Sequence, residues 1–222
     1  MRFRSTMLVL ASAGLLFAQS EHEKRLVEAA DVLQEVMDTP DKGIPQDLLD
    51  KAQCAVIVPG LKKGAFLIGA KYGRGFMTCR TGNVGWSAPG SVRVEGGSVG
   101  FQIGGSETDV IMLVMNERGM KRLLSSKFTL GGDASVAAGP VGRTASAETD
   151  AYLRAEILTW SRSRGAFAGI SLQGATLRQD TSANKDLYGQ AYANKDIVQK
   201  GVKPPAGAAK LLGLLNKYSG RK

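Results

Sequence analysis

The chain has 222 residues, and 29 Lys and Arg against 20 Asp and Glu give it a formal charge of +9. One histidine and two cysteines are too few for a zinc tetrad, and the length suits one ordinary domain with a sizeable core. A basic surface favours anionic partners.

Arg2 and Arg4 precede an apolar run from Met7 to Phe17, and Ala18-Gln-Ser20 supplies small residues where a signal peptidase reads. Residues 1–20 are therefore expected to be a secretory signal cleaved before Glu21, too short for a comfortable permanent anchor. The alternative is an uncleaved N-terminal anchor. Loss of the two arginines takes the charge to +7, and the expected location is periplasmic or extracellular, peripheral to a membrane. His22 then lies at a chain end, where no imidazole can be held against a nucleophile, so histidine catalysis is excluded.

Leu26, Ala30, Leu33 and Met37 fall on one face of a helix whose other face carries Lys24, Arg25, Glu28, Asp31 and Glu35, with an end at Thr39-Pro40. A short second helix is expected to begin near Pro45, because a first-turn N–H has no partner to lose. From Cys54 to Asn116 short apolar strands are cut by glycines. Gly73 and Gly75 around Arg74 are read as a tight hairpin, and Phe66, Ile68, Ala70 and Tyr72 alternate at a period of two.

Val110 to Met115 reads as a strand covered on both faces, and Asn116 as the cap of a helix from Glu117 to about Leu124. Strands follow at Ala134–Val141, Ala155–Ser161 and Ala166–Leu177, with Ser163-Arg164-Gly165 as the hairpin between the last two. Thr181 to Gln199 is helical or irregular, and Pro204-Pro205 breaks the chain. Beyond it Leu211, Leu212, Leu214 and Leu215 with Lys210 and Lys217 predict a short basic helix docked on the domain. The domain proper is placed at 21–200 and the Pro/Gly linker with this helix at 201–222.

Chemical motifs are weak. Ser182-Ala-Asn-Lys185 matches an acyl-transfer pattern by letter only, without its partner motifs. The glycine pairs Gly96-Gly97 and Gly104-Gly105 flank a strand instead of opening a helix, so they read as turns and not phosphate loops. Glu95, Glu107, Asp109 and Asp133 offer no visible acid/base spacing, and Asp133 reads as a turn residue accepting backbone N–H groups. No enzyme and no cofactor are indicated.

Cys54 and Cys79 pull two ways. A simple meander would put them on the first and third strands, about 10 Å apart, beyond a bridge. An exported chain with an even pair favours a disulfide, and a bridge is expected. Lys62, Lys63, Lys71 and Arg74 fall in or beside the first two hairpin turns and would form a cationic rim; their bland reading is a solvated edge that guards against aggregation.

The words in this sheet resemble the SYLF domain, a lipid-binding family once labelled by an actin-binding yeast protein. The matching pieces are Ile44-Pro-Gln-Asp-Leu-Leu, Ala55-Val-Ile-Val-Pro, Lys63-Gly-Ala-Phe, Lys71-Tyr-Gly-Arg-Gly, Gly85-Trp-Ser-Ala-Pro, Gly97-Ser-Val-Gly-Phe-Gln-Ile-Gly, Asp133-Ala-Ser-Val-Ala-Ala-Gly-Pro-Val-Gly and Ala168-Gly-Ile-Ser-Leu-Gln-Gly. They run in the family's order from about Ile44 to Gly189. With the element pattern this implies an α+β fold: a curved antiparallel sheet, barrel- or sandwich-like, with the N-terminal amphipathic helix and flanking helices packed on it.

The resemblance also implies a non-enzymatic module that binds anionic phospholipid, and it favours Lys62, Lys63, Lys71 and Arg74 as the lipid-binding residues. For an exported chain the expected lipids are phosphatidylglycerol or cardiolipin. The second reading is a structural or protein-interaction module of the cell envelope. Nucleic acid is not expected in that compartment, and actin is an unlikely partner there.

Overall fold

The computed structural model describes residues 20–39, 43–66, 68–82, 85–99, 104–140, 154–163, 166–167 and 172–219. Residues 1–19 of the expected signal segment, Pro40, and the Arg164-Gly165 part of the expected hairpin lie outside them.

Helix α1 (Glu21–Asp38) starts on a capping box: the Ser20 hydroxyl accepts the Glu23 N–H at 3.1 Å and the Glu23 carboxylate accepts the Ser20 N–H. Helix α2 (Gln46–Lys51) begins directly after Pro45. Strands β1 (Cys54–Phe66), β2 (Ile68–Cys79), β3 (Gly90–Val99) and β4 (Gly104–Val114) follow, then α3 (Glu117–Leu123), whose cap Asn116 accepts the Gly119 N–H at 2.8 Å. The later elements are β5 (Lys127–Thr129), β6 (Val136–Ala138), β7 (Ile157–Ser163), β8 (Ala166–Phe167), β9 (Thr176–Gln179), α4 (Thr181–Tyr188), α5 (Asn194–Gln199) and, after a 3-10 turn at Ala206–Ala208, α6 (Ala209–Tyr218).

The strands form one sheet in the order β5-β9-β3-β2-β1-β4-β7-β6, with β8 on β7; every pairing is antiparallel except β6 with β7. It curls into a half-barrel, so the expected α+β class stands. The expected strand from Ala166 to Leu177 is broken, because Leu172–Ala175 makes a turn with Gly174 at φ 76°.

Both faces of the central strands are buried. Ala55, Ile57, Ile111, Leu113, Leu158 and Trp160 pack under α1, α2 and α6, through Leu26, Leu33, Leu49, Leu211 and Leu215. On the other face Val56, Val58, Met77, Val92, Val94, Met112 and Leu177 close against Leu123, Phe128 and Leu130. The alternation along β1 thus feeds two cores at once.

Two corrections follow from the long β1–β2 hairpin. Phe66 pairs with Ile68, so the chain reverses there and not at Gly73-Arg74-Gly75, which lies inside β2. Neither of those glycines has a positive φ. They are needed for space: β1 bulges between Ile57 and Lys62, and a Cβ on Gly75 would sit 2.1 Å from the Ile57 carbonyl oxygen. The same hairpin brings Cys54 directly opposite Cys79 on the adjacent strand, where they are bridged with 3.9 Å between Cα atoms. The meander objection fails because residues 54–66 form one strand, not two.

Arg80 fastens the C-terminal ends of α2 and α6 beneath the sheet. Its buried guanidinium donates to the carbonyls of Ser219 (2.8 Å), Leu49 (3.3 Å) and Asp50 (3.4 Å) and stacks 4.2 Å from the Trp86 ring, whose Nε1–H donates to Ser219 Oγ at 3.0 Å.

Candidate functional site

Lys62, Lys63, Lys71 and Arg74 lie in the strands of the hairpin's far half and not in turns, which corrects the expected rim. Register pairs Lys62 with Tyr72 and Lys63 with Lys71. Direct partners share a face and neighbours alternate, so the four split into two groups. Lys62, Tyr72 and Arg74 stand on the face that carries α1; Lys63 and Lys71 stand on the other. Burial, reinforced by the charge of Lys63, lowers the Lys71 pKa.

Tyr72 was not singled out as a site residue from the sequence, because its place in an apolar alternation reads as an inward position. Among the described residues it is the large hydrophobic side chain left exposed, at 43 %. Arg74 Nε donates to its hydroxyl at 2.8 Å. An aromatic with a polar tip, flanked by Lys62 and Arg74 on the same face, suits a boundary between water and an apolar phase.

Arg74 has a second, structural task. Asp180, the N-cap of α4, is buried, and its carboxylate lies 3.6 Å from Arg74 Nε and 3.5 Å from Arg93 Nε. Burial alone would raise its pKa, but the Ser182 hydroxyl, the Ala183 N–H and the two guanidiniums outweigh burial and hold it below the usual carboxylate value. A depressed native pKa stabilises the fold above the unfolded value, about 3.9, and that stability is lost as pH falls through the native pKa. Asp180→Asn is therefore expected to cost about 1–3 kcal/mol at pH 7 and to flatten the fall in stability below pH ~4. Urea unfolding across pH 2–7 checks this; an unchanged acid slope would refute the role given to Asp180.

Beside Lys62, a cleft of about 700 Å³ separates α1 from the sheet and is lined by Glu28, Glu35, Glu107, Asp109 and Arg162 among others. Much of its charge is already paired. Arg162 bridges Glu35 on α1 and Asp109 on β4 (3.7 Å), and Asp109 also accepts the Gly60 N–H at 3.0 Å. Two other candidate acids are also held: Glu95 by Arg93 and Arg178, and Asp133 by the Thr129 N–H at 2.7 Å, which is the turn role expected of it. Among the described residues no group of His, Cys, Asp and Glu is placed to hold a metal.

A family profile described as Ysc84, Las17-binding protein actin regulator, matches residues 95–218. The chain belongs to the Ysc84 family. It is 33 % identical over 198 residues to the SH3 domain-containing YSC84-like protein 1 of Rattus norvegicus, which covers 86 % of this chain and 58 % of that protein. It is also 33 % identical over 178 residues to Protein YSC84 of Saccharomyces cerevisiae (79 % and 38 % covered), and 36 % over 176 residues to a Schizosaccharomyces pombe SH3 domain-containing protein (78 % and 41 %). This Ysc84-family chain therefore spans between 38 % and 58 % of the length of these relatives, whose names are those of binding and regulator proteins and not of enzymes.

Proposed function

We propose that this Ysc84-family domain is a non-enzymatic module that binds anionic phospholipid, with the far half of the β1–β2 hairpin as the contact. The observation that carries the reading is the exposed Tyr72 between Lys62 and Arg74 on one face, supported by the overall positive charge. Lys63 and Lys71 approach the same surface from the opposite face at the hairpin's end. The proposed setting is the outside of a cell membrane, which rests on the leader-like first 20 residues and makes phosphatidylglycerol or cardiolipin the lipid and actin an improbable partner.

Vesicle co-sedimentation tests this. Binding is expected to phosphatidylglycerol vesicles and not to neutral phosphatidylcholine, weakening as salt shortens the Debye length from about 10 Å at 0.1 M to about 3 Å at 1 M. Arg74 is left in place because it also serves Asp180. Replacing Lys62, Lys63 and Lys71 by Gln is expected to remove about 3 kcal/mol of membrane affinity, and replacing Lys195, Lys200 and Lys203 much less. Equal losses would reduce the binding to diffuse electrostatics. No preference for acidic vesicles would favour the other reading, an envelope protein-interaction module without specific lipid binding.

A further inference from the structure

The sheet builds a second cationic feature that crosses the strands. Register places Arg74 of β2 opposite Arg93 of β3, Arg93 opposite Arg178 of β9, and Arg178 opposite Lys127 of β5. All three pairings are antiparallel, so the four side chains stand in one row on one face. The row spans three interstrand spacings, about 14 Å. Val92, Val94, Leu177 and Phe128, the alternating residues of the same strands, fill the core on the opposite face. The row itself is open to solvent: the arginine side chains are 33–42 % exposed and Lys127 is exposed.

Like charges directly opposite one another destabilise a sheet. Two carboxylates answer these four cations. Asp180 serves Arg74 and Arg93 from beneath, and Glu95 straddles Arg93 (3.6 Å) and Arg178 (3.4 Å). Lys127 has no ion-pair partner among the described residues. The Nε groups of Arg93 and Arg178 are turned to those carboxylates, Asp180 at 3.5 Å and Glu95 at 3.4 Å, which leaves the outer guanidinium edges toward solvent. Four cations against two carboxylates leave the row with spare positive charge, carried on planar guanidinium forks that can grip phosphate oxygens in pairs.

We infer that the Arg74–Arg93–Arg178–Lys127 row binds closely spaced phosphate groups, with Glu95 acting as a built-in competitor for the space between Arg93 and Arg178. The row is separate from Lys62, Lys63 and Lys71 and does not depend on them. The phosphates can belong to a free condensed-phosphate chain or be displayed by lipid headgroups on a membrane.

Two arms distinguish those sources: calorimetric titration with medium-chain inorganic polyphosphate, and co-sedimentation with phosphatidylglycerol vesicles. Arg93 and Arg74 are left alone because they neutralise Asp180. The variant R178Q/K127Q is expected to weaken binding by about tenfold or more. E95Q should strengthen it several-fold, whereas E117Q, the same charge change on exposed α3, should not. K195Q/K203Q serves as the matched control, and thermal melts confirm that each variant is folded. A response to polyphosphate that survives K62Q/K63Q/K71Q assigns a free phosphate chain; a response confined to vesicles assigns membrane-displayed phosphate. The inference is overturned if R178Q/K127Q and K195Q/K203Q behave alike in both arms, or if E95Q binds no better than E117Q.

Discussion

Arg80→Met is expected to destabilise the protein by about 3–5 kcal/mol, because it strips a buried cation from three carbonyls that have lost their water. For a chain of this size that corresponds to a fall in Tm of roughly 10 °C or more. Two of those carbonyls end α2 and the third follows α6, so the guanidinium also answers the negative ends of two helices. Arg80→Lys should recover only part of the loss: an ammonium cannot fork to several acceptors and stack flat on Trp86 at once. Circular dichroism melts and urea titration measure both variants. A methionine variant within 1 kcal/mol of the parent would show that Arg80 is incidental to the fold.

The second large effect belongs to the disulfide. Cys54 and Cys79 are 25 residues apart, and constraining a loop of that length in the unfolded chain contributes about 3–4 kcal/mol. C54A/C79A should melt roughly 10 °C below the parent. The parent should lose a similar amount in reductant, but only once unfolding exposes sulfurs that are fully buried in the native state. The double variant should be indifferent to reductant. Two alkyl groups incorporated into unfolded, unreduced protein would show that no bridge exists.

What could be read from the sequence follows from which interactions are local. The apolar spacing of Leu26, Ala30, Leu33 and Met37 and the cap at Asn116 specify helices by contacts within a few residues, and those helices are found. Strand order is not local. Arg93 meets Arg178 because β3 pairs with β9 across 85 residues of chain, and no periodicity in either segment announces that meeting, so the cationic row is invisible before the fold is known. Gly73 and Gly75 show a different limit. A glycine serves equally for a positive φ or for close approach, and the letter does not say which. Reading them as a turn displaced the hairpin reversal and with it the placement of Lys62, Lys63, Lys71 and Arg74. Tyr72 misled for a related reason: alternation identifies a face, but not whether a helix covers that face along the whole strand.

The double-sided burial of the sheet has a consequence for how the chain is made. β1 to β4 pair as neighbours and can assemble from the first 114 residues, but β3 gains its outer partner only when residues 176–179 exist. The helix-bearing core is completed later still, because Leu211, Leu215 and the Ser219 acceptors for Arg80 and Trp86 belong to α6 and its C-cap, after residue 208. A nascent chain halted before these residues has the second face closed by Leu123, Phe128 and Leu130 but lacks the Leu211 and Leu215 cover on the helix-bearing face. Long sequence separations of this kind slow folding, and half-covered sheets aggregate. Residues 208–219 thus complete the core on the helix-bearing face, and truncation before Ala208 should yield insoluble protein more readily than a shortened but folded one.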